Sequence, residues 1–114
     1  NSGHLTIEAC ATSQFENHVR AVLDLPLGPT EMVAPAAAME NLIAVEHGQE
    51  IRRDLVLPEG TTIHLYDKPA RPGRKVGHLT AVGSDPAVLR ARVSAAADHL
   101  LGARVAPGLD RCPA

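Results

Sequence analysis

Four cations crowd one short stretch of this chain: Lys68, Arg71, Arg74 and Lys75 lie in DKPARPGRKVGH, residues 67–78. A bound phosphate requires several donors converging on one tetrahedral group. Arg offers a planar, two-pronged contact, Lys a mobile point charge, and a Gly-containing turn lets the backbone come close. The stretch supplies all three. Its Pro72-Gly73 pair suits positions i+1 and i+2 of a type II turn, because Pro presets φ and Gly accepts a positive φ. The charge is local: formal net charge is −2, and outside these four residues seven Lys and Arg remain against thirteen Asp and Glu. A nucleic-acid surface would spread basic residues over the domain and interleave aromatics, yet Phe15 and Tyr66 are the only large aromatic residues. A small anionic ligand fits better than nucleic acid. The same cations would also serve a solvated hairpin tip or blunt a sheet edge, the reading that composition alone favours, and chemistry alone does not decide.

Other chemistry-bearing residues point less clearly. His64 and His78 fall on neighbouring predicted strands and have the donor type for a shared metal, but no third ligand stands at a convincing spacing, so no metal site is predicted. Glu8, Glu16 and Glu31 lie on unlike elements and do not make an acid/base pair. Cys10, flanked by Ala9 and Ala11, reads as a small buried hydrophobe. Ala38-Met39 is followed by Glu40 rather than Lys, which rules out a biotin or lipoyl attachment turn.

The elements that must position the basic stretch are legible in part. TTIHLYD alternates Ile63 and Leu65 against Thr62, His64 and Tyr66 as a strand, entered through the turn signal Pro58-Glu59-Gly60, and KVGHLTAVG reads as the strand after the basic turn. Asp85 as N-cap, Pro86 at the first helical position and Gly102 past the end bound a helix with an apolar stripe of Leu89, Val93, Ala96 and Leu100; Arg90, Arg92 and Asp98 lie mostly off that stripe. A second helix follows Ser13, which has capping-box spacing to Glu16, carries Phe15, Val19, Val22 and Leu23 on one face, and ends at Pro26 and Gly28. Before it, Leu5, Ile7 and Ala9 alternate with His4, Thr6 and Glu8, the pattern of a half-buried strand. In the middle, Ala37, Ala38 and Met39 favour helix while Leu42, Ile43 and Val45 favour strand, and propensity alone does not choose.

The 114 residues suffice for one small domain, or a small domain plus the edge of another, and an aliphatic core without aromatics implies modest stability. No apolar run has membrane-spanning length, and Cys10 and Cys112 at opposite ends do not make a secreted disulfide framework. The expected setting is a reducing cytoplasm, without nucleic acid or membrane as partner. The start at Asn1, without a leading turn, leads us to expect a piece of a longer chain.

Two blocks, NSGHLTIEACATSQFENHVRAVLDLPLG and IHLYDKPARPGRKVGHLT, resemble the C-terminal portion of the 5-(carboxyamino)imidazole ribonucleotide synthase family, the ATPase subunit of phosphoribosylaminoimidazole carboxylase in purine synthesis. The resemblance implies an α+β fold. Residues 1–28 would be the edge of an ATP-grasp domain, a strand plus a helix; 29–104 a small β-rich domain with a closing helix; and 105–114 a loose tail. It also implies a strand near AMENLIA, although Ala44 stands where the family commonly has Gly. The implied reaction is ATP-dependent: bicarbonate is activated as carboxyphosphate, and its carboxyl group passes to the amine of aminoimidazole ribonucleotide. Carried over residue by residue, Lys68 and Arg74 would contact the ribonucleotide 5′-phosphate, with Arg71 and Lys75 assisting. Asn1 and His4 would match the family's HNSGH segment beside the phosphate-transfer site. ATP, magnesium and bicarbonate would be handled mostly by residues this chain does not contain, and no biotin is implied. The longer enzyme would be a homodimer. A reading of another class remains open, a free-standing, non-catalytic module that binds phosphate ligands or a partner.

Overall fold

The computed structural model describes residues 1–102. The expected tail at 105–114, with Cys112, lies outside them. A 3-10 turn over Ser2–Leu5 runs into α1, Thr6–Ala9, followed by α2, Gln14–Val22. Three strands come next, β1 (Ala36–Ile43), β2 (Thr61–Leu65) and β3 (Lys75–Gly83), and α3 (Pro86–Leu101) closes the described chain. The sheet is antiparallel with order β1-β3-β2, so β3 is central and paired on both edges. The fold is α+β.

The two helices the sequence predicts follow from their caps. Asp85 accepts from the backbone N–H of Ala87 and Val88, Pro86 opens α3, and Gly102 ends it in the left-handed region at φ 63°. Leu89, Val93, Ala96 and Leu100 are buried, as the stripe predicts, together with Ala97 and Leu101. Asp85→Ala should cost about 1 kcal/mol of stability, typical of a lost N-cap, which urea denaturation would measure. In α2, Ser13 accepts from Glu16 N–H at 3.0 Å, while the Glu16 carboxylate turns outward to pair with Arg20.

Alternation along β3 divides the sheet into two faces. Leu79, Ala81 and Gly83 lie under α3, where Leu89 packs on Gly83, and they form the core with Ala36, Leu42 and Val93. The core is wholly aliphatic. The opposite face carries His78 and Thr80 and is covered by the N-terminal turn and α1. β1 resolves the ambiguous middle in favour of strand: pairing Ala36–Ile43 to the central β3 satisfies a whole row of backbone groups, which outweighs the helical preference of alanine.

One expectation is corrected: His4–Ala9, expected as a strand, is helical. Its alternation is also an i, i+4 pattern, so a helix still places His4 with Glu8 and buries Ala9, and the Thr6 hydroxyl locks the turn by donating to Gly3 O at 2.6 Å and accepting from Gln14 N. Extended pairing begins only at Cys10, which bridges to Met32. The sheet lies between helices, with α1 over its second face; α2 packs chiefly on the N-terminal turn and α1, and Phe15, Val19 and Val22 on its apolar face are exposed.

Residues 44–60 form no regular element, yet they are pinned to the end of α3. Arg52 N–H donates to Leu100 O at 2.7 Å, the Gln49 side chain to Leu101 O at 2.7 Å, and His99 pairs with Asp54. That His99 contact, seconded by Arg52, holds the Asp54 carboxyl below its usual range.

Candidate phosphate-binding turn and its imidazole floor

The basic stretch leaves β2 at Leu65 and enters β3 at Lys75, and its shape is set by backbone bonds at both levels. Tyr66 N–H donates to Val76 O at 3.0 Å, which continues the β2–β3 pairing by one residue. Asp67 then takes a positive φ of 53°, a conformation Asp tolerates better than most residues. The tip is the expected turn: Arg74 N–H donates to Arg71 O at 3.0 Å, with Gly73 at φ 79°. Gly73 N–H also donates to Ala44 O, Ala44 N–H to Arg74 O, and Gly48 N–H to Ala70 O, so the turn is sewn to the chain leaving β1. It is a framed loop.

The side chains project from that frame. Lys68 Nζ sits 5.3 Å from the Tyr66 ring centre, over its face, where the ring's negative quadrupole attracts an ammonium. The Arg74 guanidinium donates to Pro69 O at 3.2 Å across the turn. Arg71 and Lys75 are exposed. Lys75 Nζ reaches Asn1 Oδ1 at 3.4 Å, and Asn1 Nδ2 donates to Asn41 Oδ1 at 2.5 Å. Asn1, expected beside the chemistry, thus lies against the first residue of β3, although the two are 74 positions apart. His4, its weaker companion, packs edge-on to His78 with ring centres 5.1 Å apart and to Phe15 at 5.4 Å, near Tyr66.

Beneath Tyr66 lies a cluster that sequence reasoning saw only in part. His64 and His78 are direct partners in the β2–β3 register and their rings stack with centres 4.7 Å apart. Tyr66 OH and His78 Nδ1 are 2.6 Å apart, and Glu8 reaches in from α1 to His64 Nε2 at 3.0 Å. The third group held to be missing beside the two histidines is therefore Glu8, which no local spacing reveals because 56 residues separate it from His64. The available signal was the shared face of His4 and Glu8. Burial pushes the Tyr66 phenol up.

Burial also pushes the His78 imidazole below 6.5, reinforced by the neighbouring His64 and His4 and opposed by Glu8. These groups and Tyr66 are the titratable ones that face it. Between its folded value and 6.5 the unfolded chain binds more protons at this position, so its contribution to stability is intact above pH 6.5 and is lost as pH falls below it. Urea midpoints in the presence of EDTA should drop from about pH 7.5 to about pH 5.5, and His78→Gln should flatten that dependence.

Residues 37–92 match the family model described as phosphoribosylaminoimidazole carboxylase C-terminal domain. The chain is 42% identical over 116 aligned positions to N5-carboxyaminoimidazole ribonucleotide synthase of Mycobacterium bovis, covering 96% of this chain and 27% of the relative. It is 47% identical over 93 positions to the chloroplastic phosphoribosylaminoimidazole carboxylase of Vigna aconitifolia, covering 74% of this chain and 16% of that one. Among solved structures, the Thermotoga maritima N5-carboxyaminoimidazole ribonucleotide synthetase superposes with TM-score 0.70 at 44% identity, over 86% of this chain and 29% of the other. The Aspergillus clavatus synthase, in complex with ADP and 5-aminoimidazole ribonucleotide, superposes with TM-score 0.69 at 37% identity, over 88% and 28%. The chain spans roughly a quarter or less of the length of these curated relatives.

Proposed function

We propose that this chain is the C-terminal part of an ATP-dependent ligase of purine synthesis, a reading supported by the match of residues 37–92 to the phosphoribosylaminoimidazole carboxylase C-terminal domain family. That enzyme carboxylates 5-aminoimidazole ribonucleotide with bicarbonate, giving 5-(carboxyamino)imidazole ribonucleotide, ADP and phosphate. The part played by these residues is to hold the substrate's 5′-phosphate: Lys68 and Arg74 bind it, and Arg71 and Lys75 strengthen the local field. Such binding positions the ribonucleotide amine for attack and places cations where anionic groups gather. The observation that carries this reading is the contact of Lys75 with Asn1, which joins the basic turn to the N-terminal segment that resembles the reaction-site motif. Asn1, with His4 behind it, would then face the reacting end of the ribonucleotide while the turn holds its phosphate.

ATP supplies the driving force of the carboxylation in the longer enzyme. The described residues do not fit its magnesium ion, which takes oxygen ligands, whereas the one candidate metal cluster among them offers two imidazoles. No step through ATP, magnesium or bicarbonate is assigned to them. The division near residue 28 is supported by the family match, which starts only at 37, after α2. A cytoplasmic setting and a homodimer for the longer enzyme rest on the resemblance alone.

Calorimetric titration of the purified chain tests the assignment. Saturable binding of 5-aminoimidazole ribonucleotide and of ribose 5-phosphate, without binding of the unphosphorylated riboside, is the expected result. A chain shown by circular dichroism to be folded that binds neither phosphorylated compound would remove the turn's independent role.

A further inference from the structure

His64 and His78 stand directly opposite one another on β2 and β3, and a direct cross-strand pair brings two side chains close on one face of a sheet. Over that face α1 lays the Glu8 carboxylate. One ligand atom from each of the three residues lies within 4.8 Å of the other two. His78 is 1% exposed, and its Nε2 is buried without any hydrogen-bond partner. An imidazole nitrogen stranded in this way costs free energy unless something occupies its lone pair or takes its proton.

The rest of His78 is arranged as a metal ligand's would be. Its Nδ1 lies 2.6 Å from the Tyr66 hydroxyl, and with Nδ1–H donating to the phenol oxygen the ring is in the tautomer whose Nε2 lone pair is free for a metal. We propose that Glu8, His64 and His78 form a binding site for a borderline divalent transition-metal cation of the zinc type. Two imidazoles and one carboxylate match the donor preference of such ions rather than that of magnesium or calcium, and they leave a fourth position for water. Metal bonds of about 2.0–2.2 Å hold ligand atoms about 3–3.5 Å apart. The Glu8 to His64 distance already meets this at 3.0 Å, and the three ligand atoms, within 4.8 Å of one another, would draw together around a bound ion. A bound cation would fasten α1 to β2 and β3 through one ligand from each.

The test is titration of the purified, metal-stripped chain with cobalt(II), followed by its visible d–d absorption, and displacement by zinc(II). One equivalent should produce the intense bands of a four-coordinate ion, raise the melting temperature, and be displaced by one equivalent of zinc. His64→Ala and Glu8→Gln, both at partly exposed positions and each checked for folding by circular dichroism, should abolish the bands. Tyr66→Phe should weaken binding about 10–100-fold, as loss of an outer partner does. A folded wild-type chain that gives no such bands at about 1 mM cobalt would overturn the proposal. So would bands that persist in folded His64→Ala or Glu8→Gln, which would place the ion on other histidines such as His18 or His47.

Discussion

The Lys68→Ala, Arg74→Ala double variant is expected to lose all measurable binding of 5-aminoimidazole ribonucleotide while its melting temperature stays near that of the parent. A hydrogen bond to a charged group contributes about 1.5–3 kcal/mol, so each substitution alone should weaken binding roughly 10–100-fold and the pair multiplicatively if the two contacts are independent. The two residues should nonetheless differ. Among the described residues Lys68 contacts the Tyr66 ring without bracing the turn, so its removal subtracts charge from an unchanged loop. Arg74 also donates to Pro69 O across the turn, so its removal loosens the frame as well. Arg74→Lys separates the two effects: charge is kept but the planar fork is lost, and affinity should fall less than with alanine. Isothermal titration with ribose 5-phosphate reads the parent and the four variants on one scale. Equal affinities across the series would make the stretch a solvated hairpin tip after all.

Gly77→Ala should be the most damaging single substitution for the fold. A Cβ at Gly77 would run into the backbone carbonyl oxygen of His64 and come within 3.1 Å of Leu65 Cδ2 and 3.2 Å of Leu42 Cδ1. The carbonyl belongs to the neighbouring strand and cannot rotate away, so β2 would have to shift. Overpacking of this kind costs up to about 3 kcal/mol, a large share of the stability of a small aliphatic domain. The melting temperature should fall by roughly 12–24 °C, which thermal denaturation followed by circular dichroism would show. Gly73→Ala provides the contrast: nothing lies within 4 Å of its added methyl, and only the positive φ of 79° resists it, at about 1 kcal/mol. The larger loss at Gly77 would also release His64 and His78 from register and dismantle the floor under Tyr66.

What local chemistry dictates was readable directly. Asp85, Pro86 and Gly102 bound α3 because caps act within one turn, and Pro72-Gly73 announced the turn because its backbone requirement is met by those two residues alone. The concentration of charge in residues 67–78 was equally plain, and the fold places those cations on a loop braced by Ala44 and Gly48. By contrast, the period of His4–Ala9 did not decide between strand and helix, since positions i and i+4 share a face in both. The helix prevails because it lays Glu8 over His64 and buries Ala9. The Ala-rich stretch of β1 took its conformation from its partner, since pairing along β3 satisfies the facing backbone groups of both strands, which a helical segment would leave open on β3.

By itself, then, the sequence determined the caps, the turn, the strands on either side of it and the cations they carry, all features whose causes lie within a few residues. Only the tertiary structure decided that Asn1 meets Lys75, that Tyr66 engages His78, and that Glu8 completes a set with two histidines more than fifty positions away. Those juxtapositions depend on which face of β3 the N-terminal helix covers. That choice is made by burial and hydrogen bonding summed over the whole domain, and no local spacing records it.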